Sequence, residues 1–300
     1  MAAYFSVVIP TYNRADLVGR AITSVLRQGW PDVEIVVVDD ASSDGTEQVV
    51  RSSYPQVRYL RQGDNQGGSA ARQRGIKEAT GTWVFLLDDD DEMCENALQI
   101  VASELSRLPD AGRYPVVQFA SSNGSLPFRF KKLDLDDYLS EVFQGDLVPV
   151  IQRDMFLREG LSYAANRQAS GGLLWWAVAE KHGMPTWDQK VIVVHTDATN
   201  RTGSVEHQIR NAAEFARLQE MTLDAYGDVL QSRYPRYFRR KHIGAAVYWL
   251  LAGEKGRARA HLARMYSQGS RVVALSLYGL SLCPALILRL SFRSYRYMTV

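Results

Sequence analysis

Three short apolar runs near the start of the chain end abruptly in polar or acidic residues, and this restricts the fold more than any other feature. Phe5-Ser-Val-Val-Ile9 stops at Pro10-Thr11, Glu34-Ile-Val-Val-Val38 at Asp39-Asp40, and Trp83-Val-Phe-Leu-Leu87 at four aspartates, Asp88 to Asp91. Runs of this kind, without polar alternation, fit strands buried on both faces of a parallel sheet. Helical spacing lies between them: Leu17, Ala21, Ile22, Val25 and Leu26 within Asp16 to Arg27, and a second helix over Ser69 to Ala79. Ser43 or Asp44 can cap another, with Glu47 in its first turn. Val57 to Leu60 reads as a further strand. The alternation predicts an α/β fold, a doubly wound and mostly parallel sheet with helices on both faces. Ligands of such sheets sit outside the carboxyl ends of the strands. Pro10-Thr11, Asp39-Asp40 and Asp88 to Asp91 are therefore expected to converge on one crevice.

The remainder is less regular. Turns are expected at Ser121 to Gly124 and at Gly171-Gly172, and a strand at Val191 to Val194 ending in His195. Beyond Glu206 the pattern is helical almost throughout. With 300 residues, 46% apolar and 23% charged, a disordered or fibrous chain is excluded and one or two domains are expected. Two cysteines, Cys94 and Cys283, make no disulfide framework and point to a reducing compartment. Met1 to Pro10 lacks the basic start of a targeting segment. The formal net charge of +2 hides an asymmetry: residues 1–200 carry 19 Lys and Arg against 27 Asp and Glu, residues 201–300 carry 16 against 6.

Four adjacent carboxylates repel one another, so a buried strand end tolerates them poorly without a cation, and hard Mg²⁺ or Mn²⁺ suits oxygen donors. The bland alternative is a solvated acidic turn capping a helix that starts near Glu92. Asp39-Asp40 can accept hydrogen bonds from a base or ribose, or can simply form a turn or helix cap.

Val7-Val-Ile-Pro-Thr-Tyr-Asn-Arg14, Ser24-Val-Leu-Arg-Gln28, Glu34-Ile-Val-Val-Val-Asp-Asp-Ala-Ser-Ser-Asp-Gly-Thr46, Asn65-Gln-Gly-Gly-Ser-Ala-Ala-Arg72 and Gly81-Thr-Trp-Val-Phe-Leu-Leu-Asp-Asp-Asp-Asp91 occur in that order. Together they resemble family 2 glycosyltransferases, strongly to about residue 91 and more weakly to about residue 205. The resemblance implies a GT-A, Rossmann-like fold over residues 1–205. Its nucleotide-sugar half would be residues 1–110 and its acceptor half 111–205, with a helical, basic region over 206–300. It also implies a nucleotide-sugar donor and a divalent metal, Mn²⁺ or Mg²⁺. By the same analogy Pro10, Thr11, Tyr12 and Asn13 line the nucleotide pocket. Asp40 holds the base or ribose beside Asp39, and Arg72 approaches the base or diphosphate. Asp88-Asp89-Asp90 matches the DXD element, with Asp90 as metal ligand and Asp88 and Asp89 on the donor. His195 is expected near the diphosphate and metal, followed by Arg201 as a diphosphate partner.

The match breaks at the general base. Family members usually carry an acidic pair just before a Trp-bearing helix, whereas Ala164-Ala-Asn-Arg-Gln-Ala-Ser-Gly-Gly-Leu-Leu-Trp-Trp176 contains no carboxylate. Gln73 also stands where the family commonly has Asn. Asp197 is the candidate base, with Asp188, Glu180 and Glu159 behind it. Two other readings remain: an acceptor that is already ionised and needs no base, or a chain that binds without catalysing.

From Arg233 to Arg296 the chain holds 13 Lys and Arg and one acid, Glu254, interleaved with aromatics. Residues 272–288 are 17 uncharged residues broken by Gly279 and Pro284, short for a membrane span and better suited to a buried or interfacial helix. The pattern predicts peripheral association with an anionic membrane, on the cytoplasmic face of the plasma membrane, and no nucleic acid partner. The expected activity is inverting transfer of a sugar from a nucleotide donor, UDP-linked, to a lipid-linked or growing glycan acceptor in surface polysaccharide or glycolipid synthesis. The alternative is a sugar-nucleotide-binding or scaffolding subunit without catalysis.

Overall fold

The computed structural model describes residues 4–163, 166, 171–198, 204–267, 271–283, 287–290 and 292. The chain divides into two units, residues 1–198 and 199–300.

In the first unit the apolar runs form β1 (Phe5–Thr11), β2 (Glu34–Asp39), β3 (Arg58–Arg61) and β4 (Trp83–Leu86), all parallel and ordered β3-β2-β1-β4. Every residue of β1 is buried, and the two-residue pleat sends its side chains to opposite faces. Phe5, Val7 and Ile9 pack with Ala21, Ile22 and Val25 of α1 (Val18–Leu26), while Val8 packs with Ala71 and Ile76. α2 (Thr46–Ser53) and α3 (Gly68–Glu78) complete the crossovers. Gly75 lets α3 lie close on β1, since a Cβ there would come within 2.2 Å of Val8 Cγ1.

Beyond β4 the sheet becomes mixed. β5 (Glu92–Met93), α4 (Ala97–Arg107), β6 (Val116–Ser121), β7 (Phe130–Leu133), α5 (Leu135–Leu139), β8 (Leu147–Gln152), α6 (Arg153–Arg158), α7 (Gly172–His182) and β9 (Met184–Val193) follow. β8 enters antiparallel between β4 and β6, β9 runs parallel to β6, and β5 and β7 pair antiparallel with β9. The strand expected at Val191 to Val194 is the end of the longer β9. Its earlier part includes polar Thr186 and Lys190 and hides its strand character, although Trp187 stacks on Phe119 at 5.1 Å between ring centroids. The helix reading near Glu92 is corrected: Glu92-Met93 pairs with Val193-Ile192, and α4 begins only at Ala97, after Asn96 at φ 57°.

The second unit holds α8 (Val205–Arg210), α9 (Ala212–Arg233), α10 (Pro235–Leu251), α11 (Lys255–Ser267) and α12 (Arg271–Ser281). Pro235 starts α10 where its missing N–H costs nothing. Phe238, His242, Ala245, Ala246 and Trp249 then form its buried stripe. Among the described residues no helix is long and apolar enough to cross a membrane.

Candidate active site

The carboxyl ends of β1, β2 and β4 converge. Asp40 N–H donates to the Thr11 carbonyl at 2.9 Å, and Thr11 Oγ1 donates to Asp89 Oδ2 at 2.7 Å. Pro10 is buried in β1 opposite Val38, whereas Tyr12 is 45% exposed at the strand end. The chain then reverses through Asn13 at φ 51°. Asn13 Oδ1 accepts from Ser43 N at 2.8 Å, its own N–H donates to Ser42 Oγ at 2.8 Å, and Ala15 N donates to Asp44 Oδ2 at 3.1 Å. These bonds join the loop after β1 to the loop after β2. Asp44 also receives Thr46 N at 3.0 Å, but the helix cap expected at Ser43 or Asp44 is corrected: the N-cap of α2 is Gly45, with no side-chain cap bond, and Asp44 stands one residue before it.

Asp39 and Asp40 are buried and bonded to protein. Asp39 accepts from Ser42 N at 2.7 Å, from the Tyr59 hydroxyl, and from Arg61 Nη1 at 3.3 Å. Burial and the Asp39 charge push the Tyr59 phenol above its ordinary range. Asp40 accepts from Gln62 Nε2, Gln66 N at 2.7 Å and Gly67 N at 2.7 Å, which fixes the approach to α3. A carboxylate has about four acceptor positions, and protein donors fill three of those on Asp40, which is only 2% exposed.

The acidic loop follows β4. Asp88 is half exposed and paired with Arg72 of α3. Asp89 is buried, with Arg14 Nε 3.6 Å from its Oδ1, and Arg14 Nη2 lies 3.9 Å from Asp90 Oδ2. Burial, reinforced by the charges of Asp90 and Asp88, pushes the Asp89 carboxyl up to about 7 against Thr11 and Arg14. Asp91 is pushed up to about 6, chiefly by burial, and accepts from His195 N at 2.9 Å. His195 Nε2 and Glu92 Oε2 are hydrogen-bonded at 2.7 Å, which orients the ring. Asp197 is gripped by Arg20, Nη1 to Oδ2 at 2.7 Å and Nη2 to Oδ1 at 3.0 Å, and this pairing holds its carboxyl down at about 2. Arg20 also donates to the Asp90 carbonyl. Arg201 lies outside the described residues, as do Ala164, Ala165 and Arg167 to Ser170 of the stretch expected to carry the base.

Among the described residues no three His, Cys, Asp or Glu side chains converge as a ready metal cage. The donors still fit a nucleotide-bound ion. Mg²⁺ is usually held by one or two carboxylates together with substrate phosphates, and Asp89 and Asp91, raised first by burial and then by the neighbouring aspartates, sit in a loop whose crowded acids a cation would relieve.

The other candidate acids lie elsewhere. Glu159 pairs with Lys181 and Asp188 with Lys190 at 3.3 Å, on α6's end and mid-β9; Glu180 sits in α7. Tyr163 and Trp175, which the sequence does not single out, come close to the Arg72 side of the site. Their rings meet edge to face at 5.8 Å, and Tyr163 N donates to Gln73 Oε1 at 3.1 Å. Gly171 at φ 93° makes room for them, since a Cβ would lie 2.7 Å from Trp175 Nε1. The Gly171-Gly172 pair was the available signal. Arg14 and Arg20 are missed because their partners come from distant parts of the chain.

A model described as "Glycosyl transferase family 2" matches residues 6–160. The chain belongs to glycosyl transferase family 2. This family 2 glycosyltransferase is 34% identical over 164 residues to the Campylobacter jejuni GalNAc(5)-diNAcBac-PP-undecaprenol beta-1,3-glucosyltransferase. That alignment takes in 50% of this chain and 52% of the relative, so the chain spans about half the relative's length. S. aureus TarS 1–349 in complex with UDP-GlcNAc superposes with a TM-score of 0.59 at 16% identity, over 98% of this chain and 92% of that one. The mannosyltransferase PcManGT from Pyrobaculum calidifontis, in complex with GDP-Man and Mn²⁺, gives 0.52 at 21% identity, over 99% and 84%. These likenesses establish the GT-A fold, followed here by a substantial helical region.

Proposed function

We propose that this family 2 glycosyltransferase moves a sugar, hexosyl or N-acetylhexosaminyl, from a UDP-linked donor to a lipid-linked or growing glycan acceptor, with inversion. The product would belong to a cell-surface polysaccharide or glycolipid, made at the cytoplasmic face of the plasma membrane. One observation carries the reading: Thr11, Asp40 and the Asp88 to Asp91 loop meet at the carboxyl edge of a parallel sheet, beside an exposed Tyr12. The Campylobacter relative, named as acting on a PP-undecaprenol glycan, and TarS in complex with UDP-GlcNAc support that choice of acceptor and donor.

In this reading Tyr12 and Asn13 flank the nucleotide, Asp40 takes its base or ribose, and Asp39 stiffens the loop. Asp88 and Asp89 face the donor, with Arg72 toward the diphosphate. Asp90 and His195 would hold Mn²⁺ or Mg²⁺, whose charge would offset that of the leaving diphosphate. The acceptor oxygen attacks the anomeric carbon opposite the diphosphate, the bond to UDP breaks with its electron pair, and the hydroxyl proton passes to a base. Asp197 can take that proton only weakly while Arg20 grips it, because the pair keeps the carboxyl at about 2.

The second reading, binding without turnover, is favoured by that grip and by the missing carboxylates between Ala164 and Trp176. UDP release from UDP-sugars with Mn²⁺ separates the two. Transfer or hydrolysis supports the enzyme; donor binding without turnover on any acceptor supports the binding subunit. Asp90→Ala is expected to lower UDP release by about 10²-fold or more. Unchanged, equally metal-dependent release in that variant would remove Asp90 from the site.

A further inference from the structure

The helical unit leaves apolar side chains in solvent in one region. Of the ten large hydrophobic residues exposed among the described ones, six fall between Tyr266 and Leu290. On α12, Leu275, Tyr278 and Leu282 are 60%, 43% and 66% exposed. Their i, i+3, i+7 spacing puts them on one face at and just past the helix end. The adjoining flank carries the buried contacts, with Ala274 3% and Ser281 0% exposed. Ordinary amphipathicity would have placed polar residues on the outer face.

A groove of about 320 Å³ runs between α11 and α12, with Leu262, Ala263 and Tyr266 on one wall and Ala274, Leu275 and Tyr278 on the other. Its lining is almost wholly apolar, and cations stand at one end. The Arg259 guanidinium lies 5.2 Å from the Tyr278 ring centre and its Nε donates to Ser281 Oγ at 3.3 Å. Lys255, one turn earlier, donates to the Cys283 carbonyl at 3.2 Å. Further along the chain Ile287 and Leu290 are also 46% and 50% exposed, on either side of the exposed Arg289 in sequence.

We propose that this α11–α12 face docks on an anionic phospholipid bilayer, with Leu275, Tyr278 and Leu282 entering the acyl boundary and Lys255, Arg259 and Arg289 lying among the headgroups. The proposal rests on the membrane-associated reading above and assigns the surface that performs it. Charge selects the occupant. Between Arg233 and Arg296 there are 13 cations and one acid, so a second copy of this face would meet strong like-charge repulsion, whereas anionic lipid attracts each cation. Depth agrees as well: interfacial helices sink only about 5–10 Å, and no described helix is long and apolar enough to cross. Tyr266 and Tyr278 have the apolar ring and polar tip that favour the headgroup boundary.

The test uses the full chain with vesicles of phosphatidylcholine, alone or with roughly one third phosphatidylglycerol. Sedimentation with the anionic vesicles only, weakened by salt, is expected. Leu275→Asp combined with Leu282→Asp should reduce that binding on the order of a hundredfold. Leu282→Trp should give an indole emission that shifts to the blue on adding anionic vesicles. Wild-type protein remaining in the supernatant, a double variant that sediments like wild type, or an unshifted indole would overturn the assignment. So would a concentration-dependent dimer abolished by the double variant, which would give the face to a second copy. UDP-sugar calorimetry on the same proteins keeps the two readings apart. Lost vesicle binding with intact donor binding defeats only the docking face; lost donor binding with intact vesicle binding defeats only the proposed transferase.

Discussion

Arg20 and Asp197 stand 177 residues apart and meet in a two-pronged ion pair, while the same guanidinium donates to the carbonyl of Asp90. The start of α1 thereby ties the segment after β9 to the acidic loop. Arg20→Met should free both, raising amide exchange over residues 195–198 and weakening metal-dependent UDP-sugar binding by roughly tenfold or more, as loss of an outer-shell partner does. Arg20→Lys should restore only part of it, because an ammonium cannot span two carboxylate oxygens and a carbonyl in one plane. Calorimetry with and without Mn²⁺ reads the result, and identical affinities in all three proteins would deny the tie any role.

Thr11 is the other link to that loop. Its hydroxyl donates to the buried Asp89 carboxyl, which Arg14 also faces at 3.6 Å. Thr11→Val keeps the shape of β1 but leaves Asp89 short of a donor, at a cost of about 1–3 kcal/mol. Thr11→Ser should lose much less. Urea unfolding near neutral pH distinguishes the variants, and equal midpoints would mean that the bond contributes nothing.

Such links mark the limit of what is legible in the sequence. β1, β2 and β4 can be read because strands buried on both faces are nearly uniformly apolar, and their polar stops announce the crevice. β7 cannot: Phe130, Lys131 and Lys132 are all exposed, and only its pairing with β9 makes it a strand. β5 is two residues long, so no period exists to detect. Within the site, Asp39, Asp40 and the Asp88 to Asp91 run declare themselves by local pattern. The roles of Arg14, Arg20, Gln73 and Tyr163 depend on contacts that only the folded topology creates. The tail reads as helical and basic from its residues, but the exposure of Leu275, Tyr278 and Leu282 follows from packing.

Gly75 tests how closely α3 lies on β1. A methyl there would come within 2.2 Å of Val8 Cγ1 and 3.2 Å of Val38 Cγ2, both buried. Alanine gains about 1 kcal/mol of helix propensity over glycine, yet overpacking of this kind costs about 1–3 kcal/mol. Gly75→Ala should therefore destabilise. Val8→Ala should destabilise by opening a cavity, and the double variant should be more stable than the sum of the two predicts, because one methyl fills space that the other vacates. Strict additivity in urea unfolding would show that α3 moves away instead.

The helical unit carries its own pH dependence. His242 Nδ1 faces His261 Nδ1 at 2.9 Å, and His261 Nε2 lies 3.1 Å from Glu220 Oε1, which also accepts from Trp249 Nε1 at 2.7 Å. Burial first, then His261 and Arg264, push the His242 imidazole down to about 4. In the unfolded chain the same ring titrates near ~6.5. Between those values the unfolded state binds the extra proton, so stability rises with pH there and is lost as pH falls from about 6.5 toward about 4. Hydrogen exchange of α9, α10 and α11 amides across that range should show protection declining toward acid. His242→Leu removes the titration and should flatten the decline, even if it lowers protection at neutral pH by leaving His261 without this neighbour. The same acid decline in His242→Leu would assign the dependence to another group.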